Sequence, residues 1–401
     1  MSKRLRMGVA GAAALGAAMT AGGVASAAPG GNHGHHGAAA RQDARNAYLK
    51  HSGGQPTSTH TPADGDLADQ MAQYSAERTA PTGTVAAGAL AQAVKDGDSL
   101  PAAGGAWSEV TTQPYNAQPS NYTDPFWSNV GAGFGLVGGR TTALAAAPDG
   151  TWFAGTADGG VWRSKDQGGH WTPVFDHMPS LSIGAVAINP SDGSVWVGTG
   201  EANTSQDAYA GTGVYVSRND GNTWQPVTDS DSGTNPLTSH TVFRIAFDSA
   251  GDAYAATDNG LFRWSHATGS WSEVLDPAGT TDNPPYDQQV TDVAVVPGTG
   301  GRDVIAAIGW HGPGNTQNNG FYQSTDGGMT FNKVSPTGNI DAADIGRTTF
   351  AYSADGSKLY AIVQSPAALA AGSESVLQGI FVASGHGRQP ASVAGPWTKI
   401  G

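Results

Sequence analysis

Three short segments of the chain repeat one template, and this repeat constrains the fold more than any other feature. Each has a Ser, an Asp or Asn two residues later, a Gly, and an aromatic residue: segments 164–171, 217–224 and 324–331. The second has Asn219 where the others have Asp and carries its acid one place later, at Asp220. A short Asp or Asn side chain accepts backbone N–H hydrogen bonds, and Gly adopts positive φ. Each segment therefore predicts a tight turn followed by a strand that starts with a core aromatic.

The sequence between these turns also repeats. From residue 107, short apolar strands alternate with turns rich in Gly, Asp, Asn and Pro, and three strands lead into each template. A fourth copy, segment 265–271, keeps the Ser, the Gly and the aromatic residue but has no Asp. Segments 126–131 and 396–401 resemble each other and stand before and after the series. The aromatics that start the returning strands are Trp127, Trp171, Trp224, Trp271, Phe331 and Trp397.

Successive aromatics lie 44, 53, 47, 60 and 66 residues apart, which is the length range of a four-stranded propeller blade. We therefore predict an all-β fold over residues 105–401: a β-propeller of four-stranded antiparallel blades, of which five are countable. The last segment is a fourth strand. Two arrangements stay open, a fragment of a seven-bladed propeller and closure of five blades with strands from 107–130.

Composition excludes several other classes. The 401 residues include 58 Gly and 23 Pro, which an all-α protein would not tolerate, and 33 aromatic residues, which a wholly disordered chain would lack. The formal charge of −13 repels phosphate backbones, so no nucleic-acid partner is expected. The chain has no Cys and no His or acidic spacing typical of a metal site, so neither disulfides, nor a metal, nor a cofactor is expected.

The N-terminal region has the features of an export signal. Lys3, Arg4 and Arg6 precede an Ala- and Gly-rich apolar stretch, and the small residues up to Ala27 form a cleavage site. Residues 1–27 are therefore predicted to be a signal peptide, leaving a secreted protein with no membrane partner after cleavage. Residues 28–104 are predicted to be a low-complexity linker or pro-region with a short helix near 64–78.

The repeated turn resembles the Asp-box (BNR) hairpin of sialidases, xyloglucanase-type glycoside hydrolases, sortilin-type receptors and photosystem-assembly propellers. The resemblance covers residues 125–401 and is carried mostly by segments 161–175, 181–190 and 195–203. It implies a secreted, glycosyl-hydrolase-like propeller in which the boxes are structural. The residues implied as structural are Asp166, Gly168, Trp171, Asp220, Gly221, Trp224, Asp326, Gly328 and Phe331.

The catalytic motifs that the resemblance implies are incomplete. A sialidase needs an Arg triad, a Tyr–Glu pair, an acidic Asp and an Arg-Ile-Pro motif in an early blade, whereas segment 243–246 reads Phe-Arg-Ile-Ala in the third. In xyloglucanase-type enzymes the base follows a Thr in the first blade. Here Thr156 is followed by Ala157, and Asp158 stands one position late. Neither mechanism is transferred to this chain.

Blade topology predicts where a ligand would bind. Hairpins between second and third strands share one face with the blade-to-blade connections, opposite the Asp boxes, and three of these loops are long: 201–211, 310–319 and 365–378. Arg140 and Arg347 precede innermost strands and should point toward the axis. The candidate catalytic carboxylates on this face are Glu201, Asp287, Asp341 and Asp344. The candidate ligand-binding residues are Arg140, Arg347, Trp310, His311, Tyr209 and Asn203.

Three functions remain from the sequence. A glycan-processing enzyme would need two of those carboxyls across the central cleft, roughly 6.5–9.5 Å apart for inversion. A non-catalytic module would bind extracellular glycan or protein through converging Arg and aromatic residues. A cell-envelope scaffold would have a featureless axial mouth.

Overall fold

The computed structural model describes residues 89–100, 115–116, 136–201, 209, 211–276, 289–310, 316–371 and 375–401. The predicted signal peptide, the predicted helix near 64–78 and segment 126–131 lie outside these residues. A helix not predicted from the sequence, α1 (Ala89–Ser99), lies within the expected linker, where Ala is frequent. It is followed by a two-stranded ladder of β1 (Tyr115–Asn116) and β2 (Leu136–Val137).

The remaining described strands form five sheets of four antiparallel strands, each built from consecutive strands. Blade 1 consists of β3 (Thr141–Ala146), β4 (Trp152–Thr156), β5 (Val161–Ser164) and β6 (Thr172–Pro173). Blade 2 consists of β7 (Ile183–Ile188), β8 (Val195–Thr199), β9 (Val214–Ser217) and β10 (Gln225–Pro226). Blade 3 consists of β11 (Val242–Phe247), β12 (Ala253–Thr257), β13 (Leu261–Ser265) and β14 (Ser270–Leu275).

Blade 4 consists of β15 (Val290–Val295), β16 (Val304–Ile308), β17 (Gly320–Ser324) and β18 (Asn332–Val334). Blade 5 consists of β19 (Thr348–Tyr352), β20 (Lys358–Gln364), β21 (Leu377–Ser384) and β22 (Trp397–Lys399). A short helix, α2 (Pro366–Ala370), lies between β20 and β21. The prediction of a propeller with five four-stranded antiparallel blades is confirmed.

The hydrophobic core lies between neighbouring blades. Phe153 and Val161 of blade 1 pack with Ile183 and Val197 of blade 2, and the three following interfaces are built in the same way. Burying each such side chain contributes about 1.5–3 kcal/mol. The other faces of blades 1 and 5 expose apolar side chains, among them Leu144. The stacking of sheets face to face therefore supplies the stability that disulfides cannot give to this chain.

The innermost strands of blades 1–4 each contain a register shift near the start. Such a bulge adds one residue and turns the side chains that follow. Bulge side chains also link neighbouring blades: Thr142 Oγ1 donates a hydrogen bond to Ile183 O at 2.5 Å, and Thr291 Oγ1 donates to Thr348 O at 3.1 Å. The bulges therefore fix how the innermost strands sit around the axis.

The strand registers define two rims. The start of β3 lies opposite the end of β4, since Thr141 pairs with Thr156. The ends of β3 and β5 lie at the other edge, since both pair with Trp152 at the start of β4. We call the first edge, with the starts of the innermost strands, the connection rim. The opposite edge, with the turns at 164–171, 217–224 and 324–331, is the turn rim.

These three turns, here the Ser/Asp turns, share one hydrogen-bond pattern. In the first, Asp166 Oδ1 accepts from Ser164 Oγ and from His170 N, both at 2.8 Å. In the third, Asp326 Oδ1 accepts from Ser324 Oγ at 2.7 Å and from Thr330 N at 3.0 Å. The hydrogen bonds from His170 and Thr330 hold the pKa values of Asp166 and Asp326 well below their usual range. Both carboxylates therefore hold the backbone of their own turns in place.

In the second turn the hydrogen-bond acceptor is Asn219 and not Asp220, the acidic residue expected from the sequence. Asn219 Oδ1 accepts from Ser217 Oγ at 3.0 Å and from Thr223 N at 2.9 Å, as the Asp residues do in the other turns. Asp220 instead has φ 57°, the left-handed conformation that Gln167 has in the first turn. The acid that the sequence offered for this turn is therefore not its acceptor, because the amide oxygen of Asn219 fills that position.

The remaining template residues complete the turns. Gly168, Gly221 and Gly328 all have positive φ, and each donates its N–H to the Ser Oγ of its own turn. The indole of Trp224 donates to Val174 O of blade 1 at 2.8 Å. Trp171 is more exposed, and Phe331 is partly buried in the core between blades 3 and 4.

Replacing Asn219 with Ala is expected to lower the free energy of unfolding by about 1 kcal/mol, because Thr223 N and Ser217 Oγ lose their acceptor. The matched change Asp220→Asn should have almost no effect, since Asn tolerates the left-handed conformation. Urea unfolding followed by circular dichroism measures both. A larger loss in Asp220→Asn than in Asn219→Ala would assign the turn to Asp220 instead.

Candidate functional site at the connection rim

Five charged side chains, one from each blade, meet around the axis at the connection rim. Arg140 precedes β3, Glu201 follows β8, Arg244 lies in β11, Asp292 lies in β15, and Arg347 precedes β19. Arg244 and Asp292 directly follow the bulges of their strands, so they occupy equivalent positions in neighbouring blades. We call these five residues the axial cluster.

The members of the axial cluster are linked to one another by charge. Arg140 Nη2 lies 3.3 Å from Glu201 Oε2, and Arg244 Nε lies 3.6 Å from Asp292 Oδ1. Arg347 interacts electrostatically with both carboxylates. Its guanidinium carbon also lies 5.6 Å from the centroid of the Phe243 ring, within cation–π distance. The five side chains therefore form one connected network across all five blades.

Exposure separates the two signs of charge in the axial cluster. The carboxylate side chains are buried, with Glu201 0% and Asp292 2% exposed, whereas Arg140 and Arg244 are 42% and 54% exposed. Three guanidinium groups and two carboxylates leave the cluster with a formal charge of +1 on a chain of net charge −13. A ligand at this rim therefore meets guanidinium N–H groups, which bind oxyanions such as carboxylate and sulfate through pairs of oxygen atoms.

Burial changes the acidity of two members. It raises the pKa of Asp292 to about 6, against the opposing effects of Arg244, the N–H groups of Phe350 and Val293, and Arg347. Burial lowers the pKa of the Arg347 guanidinium, and Glu201 and Asp292 act in the opposite direction. Arg347 keeps its charge at all physiological pH values because an arginine starts from a very high pKa.

Of the four candidate catalytic carboxylates, Glu201 belongs to the axial cluster and Asp287 lies outside the described residues. The other two hold backbone. Asp344 accepts from Ser365 Oγ and, at 2.9 Å, from Ala367 N in the first turn of α2. Asp341 Oδ1 accepts from Ala343 N at 3.0 Å. Asp341 thus stabilises a turn and Asp344 stabilises the start of a helix. A catalytic role for either residue stays a prediction.

The other candidate ligand residues are placed as follows. Tyr209 O accepts a hydrogen bond from Glu201 N at 2.9 Å, so this residue closes the loop that carries Glu201. The backbone of Trp310 is held at both ends by the Asn319 amide, which also donates to Ile345 O at 2.8 Å. His311 and Asn203 lie outside the described residues.

Sequence reasoning found Arg140, Arg347 and Glu201 but did not select Arg244 and Asp292. Both stand in innermost strands that are otherwise largely apolar, and a charged residue inside such a strand is a signal that could have identified them. The bulge that brings them to the axis leaves no mark in the sequence.

A groove of about 340 Å³ adjoins the axial cluster on the outer face of blade 5. Its lining combines polar and apolar side chains and consists of Arg347, Thr349, Ile362, Gln364, Val376 and Leu377. A ligand held by Arg347 therefore has adjacent space in which to extend.

Within the described part of the chain, no three His, Asp or Glu side chains are arranged so that they could hold a metal ion. No helix in the same ranges has both the length and the hydrophobicity needed to cross a lipid bilayer.

Several solved structures are similar to part of this chain. It is 19% identical to the GH74 xyloglucanase from Xanthomonas campestris, with a TM-score of 0.43 over 62% of this chain and 37% of that chain. It is also 19% identical to the GH74 enzyme of Niastella koreensis, with a TM-score of 0.43 over 64% of this chain and 38% of that one. YCF48 in complex with a peptide is 17% identical, with a TM-score of 0.37 over 57% of this chain and 63% of that one.

These similarities concern the fold alone. The chain spans less than two thirds of the length of each of these three structures. No known family matches the sequence, and no curated protein matches it.

Proposed function

We propose that this chain is an extracellular binding propeller that holds an acidic glycan at the axial cluster without hydrolysing it. The observation that supports this most is the separation of charge, with the guanidinium groups of Arg140 and Arg244 facing solvent and both carboxylates buried. Exposed Arg side chains bind the carboxylate or sulfate groups of acidic sugars in a bidentate manner. Trp310 and Tyr209 lie on the loops beside the cluster and supply rings for a sugar face.

The same separation argues against hydrolysis. A glycosidase needs two carboxyl groups that reach the scissile bond from two sides. The Glu201 side chain is fully buried and paired with Arg140, so it is not available to protonate a leaving group or to activate water. The resemblance to Asp-box proteins and the signal peptide expected at 1–27 support a site that works outside the cell.

Binding to an oligosaccharide array that contains neutral, uronic-acid and sulfated members tests the proposal. The wild type should bind the acidic members, and Arg140→Gln should weaken that binding about tenfold or more through the loss of a charged hydrogen-bond donor. Arg302→Gln is the matched control, because Arg302 is exposed, pairs with Asp303 and precedes β16 at the turn rim. It should bind like the wild type.

Glu201→Gln separates the alternatives when the same proteins are also assayed on a panel of fluorogenic glycosides. In the proposed role this variant binds acidic glycan as well as the wild type or better, because Arg140 is freed for the ligand. Turnover that disappears in Glu201→Gln would make the chain a hydrolase and overturn the proposal. Absence of both binding and turnover would leave a scaffold.

A further inference from the structure

We propose that Asp292 is a positioning residue of the axial cluster: it holds Arg244 and Arg347 in place while charged, and frees Arg244 for a bound anion when it takes up a proton. This inference rests on the proposed function of the cluster as an anion-binding site. Asp292 itself is too deeply buried to touch a ligand.

The position of Asp292 is fixed by two blades. Its Oδ1 accepts a hydrogen bond from Val293 N of its own strand at 2.8 Å, and its Oδ2 accepts from Phe350 N of blade 5 at 2.6 Å. Both hydrogen bonds come from backbone N–H groups in regular strands. The carboxylate therefore stays in place when a neighbouring guanidinium group moves. A carboxylate held in this way offers a fixed point to which a guanidinium can be drawn.

The charged groups that face Asp292 come from the elements packed on either side. Arg244 approaches from β11 of blade 3, with Nε 3.6 Å from Oδ1, and Arg347 approaches from the segment before β19. Glu201 shares Arg347 with Asp292, since this guanidinium interacts with both carboxylates. Asp292 therefore takes part in setting the position of two of the three guanidinium groups in the cluster.

Protonation of Asp292 changes the charge of the site in a defined direction. The neutral form raises the formal charge of the cluster from +1 to +2 and weakens the hold on Arg244, which is already half exposed. Because burial raises the pKa of Asp292 to about 6, this change falls within the range of mildly acidic surroundings. Anion affinity should therefore be highest below that pKa and should decrease as the pH rises through it.

A purely structural role of Asp292 predicts a different effect of its removal on anion binding. If Asp292 only joined blade 4 to blade 5 through Phe350 N, its removal would lower stability and leave the pH dependence of anion binding unchanged. The pH profile of binding therefore separates the two roles.

The test uses inorganic sulfate as the probe, because its charge is constant between pH 5 and pH 8. Nuclear magnetic resonance of the arginine Nε–Hε groups of the full chain gives the sulfate affinity and the position of Arg244 together. In the wild type, affinity should increase about sevenfold from pH 7.5 to pH 5, the change expected if sulfate raises the pKa of Asp292 from about 6 by about one unit. In Asp292→Asn the affinity should be independent of pH.

Two controls are needed. Glu201→Gln should retain the pH dependence, since Asp292 and Arg244 are intact. His240→Gln should retain it as well: burial lowers the pKa of His240, but Asp258 and Glu273 raise it by more, and this residue is a second titratable group at the same rim. A pH dependence lost in His240→Gln would overturn the inference.

The outcomes distinguish the two proposals. Equal pH dependence in wild type and Asp292→Asn would overturn the positioning role and leave anion binding standing. No sulfate binding at any pH, with an Arg244 resonance that still shifts near pH 6 in the ligand-free wild type, would overturn anion binding alone. If Asp292→Asn does not fold, the side-chain carboxyl carbon of Asp292 in the wild type must titrate with a midpoint that rises when sulfate is added; a midpoint unchanged by bound sulfate contradicts the inference.

Discussion

Replacing Gly184 with Ala is expected to lower the free energy of unfolding by about 3–5 kcal/mol, the range of severe core overpacking. Gly184 stands at the bulge of β7, where blade 2 meets blade 3 at the axis. A Cβ there would lie far inside van der Waals contact of the carbonyl oxygens of Val242 and Gly200. Both obstacles are backbone atoms, so the blades themselves would have to move apart.

Gly139→Ala is the matched control. A Cβ at residue 139 meets no atom within 4 Å, and neither glycine has the positive φ that would strain an Ala. The control should change the free energy of unfolding by less than about 0.5 kcal/mol. Urea unfolding followed by circular dichroism measures both variants. A small loss in Gly184→Ala would mean that the innermost strands are not packed as closely as the structure has them.

Replacing Trp397 with Ala is expected to cost about 3–5 kcal/mol, whereas the same change at Trp171 should cost about 1 kcal/mol. Trp397 is 1% exposed, its ring centroid lies 5.9 Å from that of Phe321, and its indole donates to Val393 O at 3.0 Å. Trp171 is 36% exposed. The two residues hold the same place in the repeat, so the expected difference comes from the burial of Trp397 and the contacts that accompany it.

Urea unfolding followed by far-ultraviolet circular dichroism compares the two variants, since tryptophan fluorescence would change with the substitution itself. Similar losses for Trp171→Ala and Trp397→Ala would mean that repeat position, and not burial, determines what each aromatic contributes.

The sequence was sufficient for the fold because the signals for it are local. Ser, Asp or Asn, Gly and an aromatic residue at fixed spacing specify a turn and the strand after it, and the intervals between aromatics specify the size of a blade. The acceptor of the second turn was not settled in this way, because Asn219 and Asp220 are both short polar residues and only the backbone conformation distinguishes them.

The candidate site was predictable in part. Arg140 and Arg347 were found because each precedes an innermost strand, and Glu201 was found because it begins a long loop on the same rim. Asp341 and Asp344 stand in similar places in the sequence, yet Asp341 accepts from Ala343 N in its own turn and Asp344 accepts from Ala367 N in the first turn of α2. A sequence position on a rim therefore does not tell whether a carboxylate faces the axis or completes a turn.

The amino-acid sequence by itself determined the turns, the number of countable blades and the rim on which charged residues collect, because hydrogen bonds within a hairpin depend on residues close together in the chain. Only the tertiary structure decided that Arg244 lies beside Asp292 and that Asp292 interacts with Arg347, and that the carboxylates of the cluster are buried while Arg140 and Arg244 face solvent. Those outcomes depend on bulges and on packing between residues that are 48 or more positions apart in the chain, where the position of each side chain is set by its neighbours in space.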